Sequence, residues 1–260
     1  MDEGKMEDAE IFMLKAISID STFKTPYGNL GMLYLDLNRI EEARHFTSMA
    51  LHLDSNYAFA YRKLGAIYLS EKKYNEAEKN YLKSIKLDST NLDNYVDVGW
   101  YYLDIAIFDK AEQMFLKANQ LDSNDLYVCR GLGYLYLKTD RFAEAEKKYQ
   151  KIIQIDTNSI DGYNNLGYCY LYTNQYAEAE QQFNKVVQLN ASNSEGYYSL
   201  ACVHSLQSHK DKALEYLEHA LKIGFDYYDH IQQDPDLTFL RTLPEWKALM
   251  KKYFPEKSKD

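Results

Sequence analysis

Gly31, Gly65, Gly99, Gly133 and Gly167 stand 34 residues apart, and Ala201 takes the next step of the same period. Twelve residues after each lies an alanine: Ala43, Ala77, Ala111, Ala145, Ala179 and Ala213, with Ala9 one period upstream. A register that never slips over six periods restricts the chain to an architecture of repeated units, each burying its apolar face against the next.

Each period reads as two helices. Around the small residue, Leu30, Leu64, Val98, Leu132, Leu166 or Leu200 precedes it by one. Tyr34, Tyr68, Tyr102, Tyr136, Tyr170 or His204 follows it by three, and Tyr27, Tyr61, Tyr95, Cys129, Tyr163 or Tyr197 lies four before it. These offsets place one stripe on a helix. A second stripe runs from the alanine, in most periods through an apolar residue four later (Tyr81, Phe115, Tyr149, Phe183, Leu217), to a small or branched one (Ala50, Ser84, Ala118, Ile152, Val186, Ala220). Short polar turns such as Glu71-Lys72-Lys73 separate the helices, and Leu-Asp-Ser-Asn or a variant closes most periods. Asp, Asn, Ser and Thr bond their own backbone and cap helices, so they suit such junctions. Small residues let two helices approach and the aromatics fill the space beside them. Twelve of the 25 tyrosines occupy these aromatic places, so about half of the tyrosine content is architecture.

The pattern resembles the tetratricopeptide repeat, whose helix A carries W/Y-x-x-L-G-x-x-Y and whose helix B carries A-x-x-x-F-x-x-A; Tyr61-Arg-Lys-Leu-Gly-Ala-Ile-Tyr68 with Ala77 and Tyr81 fits almost position for position. The resemblance implies an all-α, right-handed superhelical solenoid of stacked antiparallel helix pairs. Six repeats span 24–227. Residues 1–23 read as a partial repeat with helix B only, and 228–260 as a C-terminal helical cap and tail. The proline usual near the repeat end is replaced by Ser55, Ser89, Ser123, Thr157 and Ala191. The segment Gly224-Phe225-Asp226-Tyr227 through Asp234-Pro235-Asp236-Leu237 resembles the end of many bacterial arrays of this kind. Pro235 and Pro244 suit helix starts, and Trp246, Leu249, Met250 and Tyr253 share a helical face. The tail from Glu256 to Asp260 is expected to fray. Missing its helix A, the first half repeat suggests a fragment of a longer protein or a cap, and its Phe12, Met13, Ala16 and Ile17 offer a surface for a weak homo-oligomer.

In this family helices A line a concave groove, with positions two, five, six and nine of each repeat facing it. Carried over, the groove holds Phe59, Arg62, Lys63, Asp93, Val96, Asp97, Trp100, Tyr127, Arg130, Tyr134, Asp161, Asn164, Asn165 and Tyr168. Trp100, Tyr134 and Tyr168 share position nine, either as anchors for a ligand or as packing between adjacent helices. Asn164 and Asn165 suit a peptide backbone, and Arg130 a carboxylate. The family's clamp for chaperone C-termini is not expected: its best frame here is Arg130, Tyr134, Asn165, Glu195 and Ser199, where Glu195 repels a carboxylate.

The implied function is a non-catalytic scaffold for a protein or peptide, with a sensory, regulatory or assembly module of a larger protein as the alternative. No catalytic residue, cofactor or metal is expected. His204 takes a core tyrosine's place, and among Asp229, His230, Asp234 and Asp236 the aspartate before Pro235 reads as a helix cap. With 30 Lys+Arg against 39 Asp+Glu and no long basic run, nucleic acid is a poor partner, and no apolar run reaches the length of a membrane span. Cys129, Cys169 and Cys202 are odd in number and lack metal spacing, and the first twenty residues are too acidic for a signal peptide, so a cytoplasmic location is expected.

Overall fold

The computed structural model describes residues 3–257; of the expected tail, residues 258–260 lie outside these, as do residues 1–2 of the N-terminal half repeat. Among the described residues there is helix and turn and no strand. A single helix, α1 (Glu3–Ile19), precedes six pairs: α2 (Lys24–Asp36) with α3 (Ile40–Leu53), α4 (Ala58–Ser70) with α5 (Tyr74–Leu87), and α6 (Leu92–Asp104) with α7 (Phe108–Leu121). Then come α8 (Leu126–Lys138) with α9 (Phe142–Ile155), α10 (Ile160–Tyr172) with α11 (Tyr176–Leu189), and α12 (Ser194–Leu206) with α13 (Lys210–Lys222). The chain divides into two compact units, the first ending at Gly131 and the second beginning at Leu132.

Within each unit the period explains the packing. In the first, Phe115 on α7 is fully buried. A Cβ built on Gly99 would stand 2.6 Å from its ring and one on Gly131 2.3 Å, so the ring occupies the space that two side chains would otherwise take. In the second unit Gly167 abuts Phe183 in the same way. The alanines of the second stripe, from Ala43 to Ala213, have no exposed surface.

Polar groups repeat with the same period. Tyr27, Tyr61, Tyr95 and Tyr163 each donate a hydroxyl to the carbonyl six residues earlier, at 3.1–3.2 Å, tying helix A to the junction before it. The tyrosines three after the small residue reach back to the preceding helix B: Tyr34 to Glu10, Tyr102 to Glu78 at 2.7 Å and Tyr170 to Glu146 at 3.0 Å. At the same place His204 stands with Nε2 3.3 Å from Glu180. At the junctions, Asp54, Asp88, Asp122, Asp156 and Asn190 accept the backbone N–H two residues on, at 2.8–3.1 Å. These side-chain turns end helix B where the family commonly uses proline.

Each helix A stops by the same device. Asn38, Lys72, Ala106, Asp140, Asn174 and Ser208 have φ between 57 and 59°, and the next residue's N–H returns to the carbonyl five back, as in Ile107 to Tyr102 at 2.8 Å. This left-handed closure favours glycine, and none of the six is glycine. Ala106, with no side chain to bond the backbone, bears the strain without compensation. Ala106→Gly is therefore expected to raise stability by about 0.5–1 kcal/mol in urea denaturation; a loss of stability would contradict the assignment.

After the sixth pair, α14 (Tyr228–Gln233), a 3-10 turn at Pro235–Leu237, α15 (Thr238–Arg241) and α16 (Pro244–Tyr253) close the second unit. Ile231, Leu237, Leu240, Trp246, Leu249 and Met250 are buried in one cluster with Leu217 and Ala220 of α13. Pro235 and Pro244 start their helices, where a missing N–H costs nothing. Lys257 lies 3.5 Å from Asp229 and over the Tyr228 ring, so the chain is tethered just beyond Glu256.

Candidate functional site

The residues expected to line a groove lie on the A helices of both units, and the structure gives them different roles. In the first unit Arg62 is buried and pairs with Asp93 and Asp97, each at 3.1 Å, while its guanidinium stacks on Phe59 at 5.2 Å. Its charge is consumed inside the repeat pair, so it is a structural cation more than a ligand contact. Lys63 is half-buried and also reaches the Phe59 ring; desolvation, with Arg62 beside it, lowers its pKa. Val96 is buried. Trp100 packs edge-on against Phe115 at 5.7 Å. Tyr127 is 64% exposed and carries the exposed Arg130 over its ring at 5.9 Å.

In the second unit Tyr134 is 39% exposed, with Lys138 over its ring. Tyr168 repeats the Trp100 arrangement, edge-on to Phe183 at 5.3 Å, and its hydroxyl meets Ser199 at 3.0 Å and Glu195 at 3.3 Å. Desolvation and the Glu195 charge push its pKa up. Position nine thus holds packing residues at Trp100 and Tyr168 and an open ring at Tyr134. Asn164 donates to Glu195 at 3.3 Å and its Oδ1 is shielded without a partner. Asn165 donates to the Asp161 carbonyl at 2.8 Å.

Tyr168, expected in the groove, also lines a cleft in the second unit of about 390 Å³, together with Glu195, Tyr198, Phe225, Tyr227 and His230 among others, none of which the sequence pattern places in the groove. Glu195 and Tyr198 are positions two and five of the sixth repeat, so extending the positional rule by one period would have found them. Phe225, Tyr227 and His230 belong to the end segment or its junction and carry no periodic signal. Tyr198 donates to Asp234 at 2.5 Å, and Asp234 also caps the 3-10 turn through the Asp236 N–H at 2.9 Å.

Oxygens of Asp234 and Asp236 and the Cys202 sulfur lie within 4.8 Å of one another. Asp234 is satisfied by Tyr198 and by its capping bond, so the group is accounted for as a helix start. The Cys202 thiol is buried and held well above its usual pKa by desolvation and by Asp234, and Cys169 is pushed up to about 12 by burial. Such thiols are poor nucleophiles. His204 is buried against Tyr216, its ring stacked at 5.4 Å. Among the described residues no helix is long and apolar enough to cross a membrane.

A family model described as the second ARM domain of tetratricopeptide repeat protein 21 matches residues 102–237, and tetratricopeptide-repeat models match residues 58–91 and 25–54. No curated protein sequence matches the chain. Among solved structures, one titled for the functional characterization of Pseudomonas aeruginosa pilF is similar at TM-score 0.71 and 20% identity, covering 86% of this chain and 98% of that one. PilW, described as a widely conserved type IV pilus biogenesis factor, is similar at TM-score 0.71 and 16% identity, covering 84% of this chain and 98% of its own. YrrB, described as a TPR protein with an unusual peptide-binding site, is similar at TM-score 0.54 and 24% identity, over 71% of this chain and 95% of its own. With 356 matching chains the fold is widely used, and at these identities the likeness carries the fold and selects no ligand.

Proposed function

Because the chain belongs to the tetratricopeptide-repeat family, we propose that it is a non-catalytic scaffold that holds a peptide or helix of another protein in the groove lined by its A helices. The observation that carries this reading is the contrast among its aromatics. Those at the repeating core places, such as Tyr81, Tyr102 and Tyr149, are buried, whereas Tyr127, with Arg130 over its ring, and Tyr134 stand open on α8. Exposed tyrosines next to an arginine are the residue types that dominate protein interfaces. The peptide-binding site in YrrB's description supports the same class of ligand. Affinity capture with the parent chain and a Tyr127→Ala/Tyr134→Ala variant, both at exposed rings, tests it. Loss of specific partners from the variant is expected, and identical capture by a correctly folded variant would remove the groove from the account.

A second reading, an assembly module, is favoured by α1. Ala9, Met13 and Ala16 correspond to places that helix A covers in the other repeats, yet all three are partly exposed, and Phe12 is 71% exposed. A groove of about 570 Å³ beside them is lined by Met6, Met13, Met32 and Leu33 among others. On this reading a helix, from a second copy or from elsewhere in a larger protein, completes the half repeat at 1–23, with 24–227 as the repeat array and 228–260 as its cap and tail. Light scattering over a concentration series separates the two sources. Cys129, Cys169 and Cys202 are buried and not joined by a disulfide, which supports a reducing compartment such as the cytoplasm.

A further inference from the structure

We propose that the cleft between the sixth repeat and the end segment receives a lysine or arginine side chain of the bound peptide; this rests on the scaffold reading and names the chemistry of one of its contacts. The cleft is walled by aromatic rings. Tyr198 and Phe225 stack at 4.1 Å with 16° between their planes, and Tyr227, 64% exposed, meets Phe225 edge-on at 5.2 Å. Such rings attract a cation through their negative faces.

The charges at the cleft have the complementary sign. Glu195 is exposed at its lip, and the partners of its carboxylate, Asn164 and Tyr168, are neutral donors at 3.3 Å. They orient the carboxylate without neutralising it. Behind the wall Asp234 accepts the Tyr198 hydroxyl, and Asp236 lies beside it, with its pKa raised by burial and by Asp234. Two basic groups lie close by. The Arg241 guanidinium is engaged by the Ile231 and Asp234 carbonyls and the Thr238 hydroxyl, and His230 faces Asp234 at 3.6 Å.

Any occupant of the cleft covers Glu195. An apolar occupant strips water from a carboxylate and returns nothing, a neutral donor returns a hydrogen bond without the counter-charge, and an acidic one adds repulsion. A lysine or arginine side chain supplies the counter-charge, and its methylene stem lies along the Phe225 and Tyr227 rings while its head reaches the lip. A cleft of about 390 Å³ lies within the range of side-chain and small-ligand sites.

The test is an NMR titration of the full chain with acetylated, amidated Gly-Ser-Xaa-Gly-Ser peptides, Xaa being arginine, lysine, citrulline or glutamate. Arginine and lysine peptides are expected to bind about tenfold more tightly than the citrulline isostere, with shifts at Tyr198, Phe225 and Tyr227, and to weaken with added salt. Glu195→Gln is expected to lower arginine-peptide affinity by about tenfold with an unchanged melting temperature, and Tyr227→Ala, at an exposed ring, to weaken it by a smaller factor. Equal binding of arginine and citrulline, no saturable binding of any peptide at millimolar concentration, or indifference to Glu195→Gln overturns the proposal. If partner capture by the parent chain persists in any of those cases, the scaffold reading stands and this cleft alone is struck out.

Discussion

Phe115→Ala is expected to cost the first unit about 3–5 kcal/mol in urea denaturation. The ring has no exposed surface, two glycines, Gly99 and Gly131, leave room for it, and Trp100 packs on it at 5.7 Å. Its removal leaves a cavity between helices whose backbones are already held close, so the surroundings have little freedom to collapse. In a repeat array each unit is stable only against its neighbours, so lost amide protection in hydrogen exchange should spread from α6 and α7 to α5 and α8. A cost below about 1 kcal/mol would mean that the aromatic is not what the small residues exist to admit.

Asp93→Ala/Asp97→Ala is expected to destabilise by about 2–3 kcal/mol, less than the ~3–5 kcal/mol typical of a fully buried pair, because the Asp93 side chain is 58% exposed. Both carboxylates serve one buried guanidinium, and without them Arg62 keeps its charge with only the Phe59 ring against it. The partner experiment is Arg62→Met, which removes the charge and keeps an apolar stem, and it should lie within about 1 kcal/mol of the parent. If instead Arg62→Met is the more damaging and also abolishes partner capture, Arg62 contacts the ligand and its structural role here is wrong. Melting curves and the capture assay, run on the same variants, separate the outcomes.

The helix pairs were legible because the constraint is local and repeated: a residue too small to block an approaching ring must recur wherever a ring recurs, as at Gly99 with Phe115 and Gly167 with Phe183. The polar ladder from Tyr102 to Glu78 and from Tyr170 to Glu146 was present at the same period but went unread, because a tyrosine at a core place reads as apolar filling unless its hydroxyl is followed to a partner. The left-handed helix ends were hidden for a different reason. Lys72 and Ala106 carry no local preference for that conformation, and the surrounding fold imposes it.

The site was legible only in part. Positional analogy selects the residues on the inner face of helix A, but it cannot tell Arg62, whose charge two aspartates absorb, from Arg130, which stands exposed over Tyr127. One period further on it reaches Glu195 and Tyr198 but not the rest of the cleft at the sixth repeat. Its Phe225 and Tyr227 wall ends the last period and leads into the end segment, and only folding brings it against Tyr198.

The central claim, that partners are held on the A-helix side, is tested most directly by site-specific photo-crosslinking in cells. A benzoylphenylalanine placed at Tyr127 or Tyr134, both exposed on α8, is predicted to give discrete adducts with another protein, whereas the same group at Lys117 or Lys185, exposed on helices B, gives none. Adducts arising only from Lys117 or Lys185 would contradict the account.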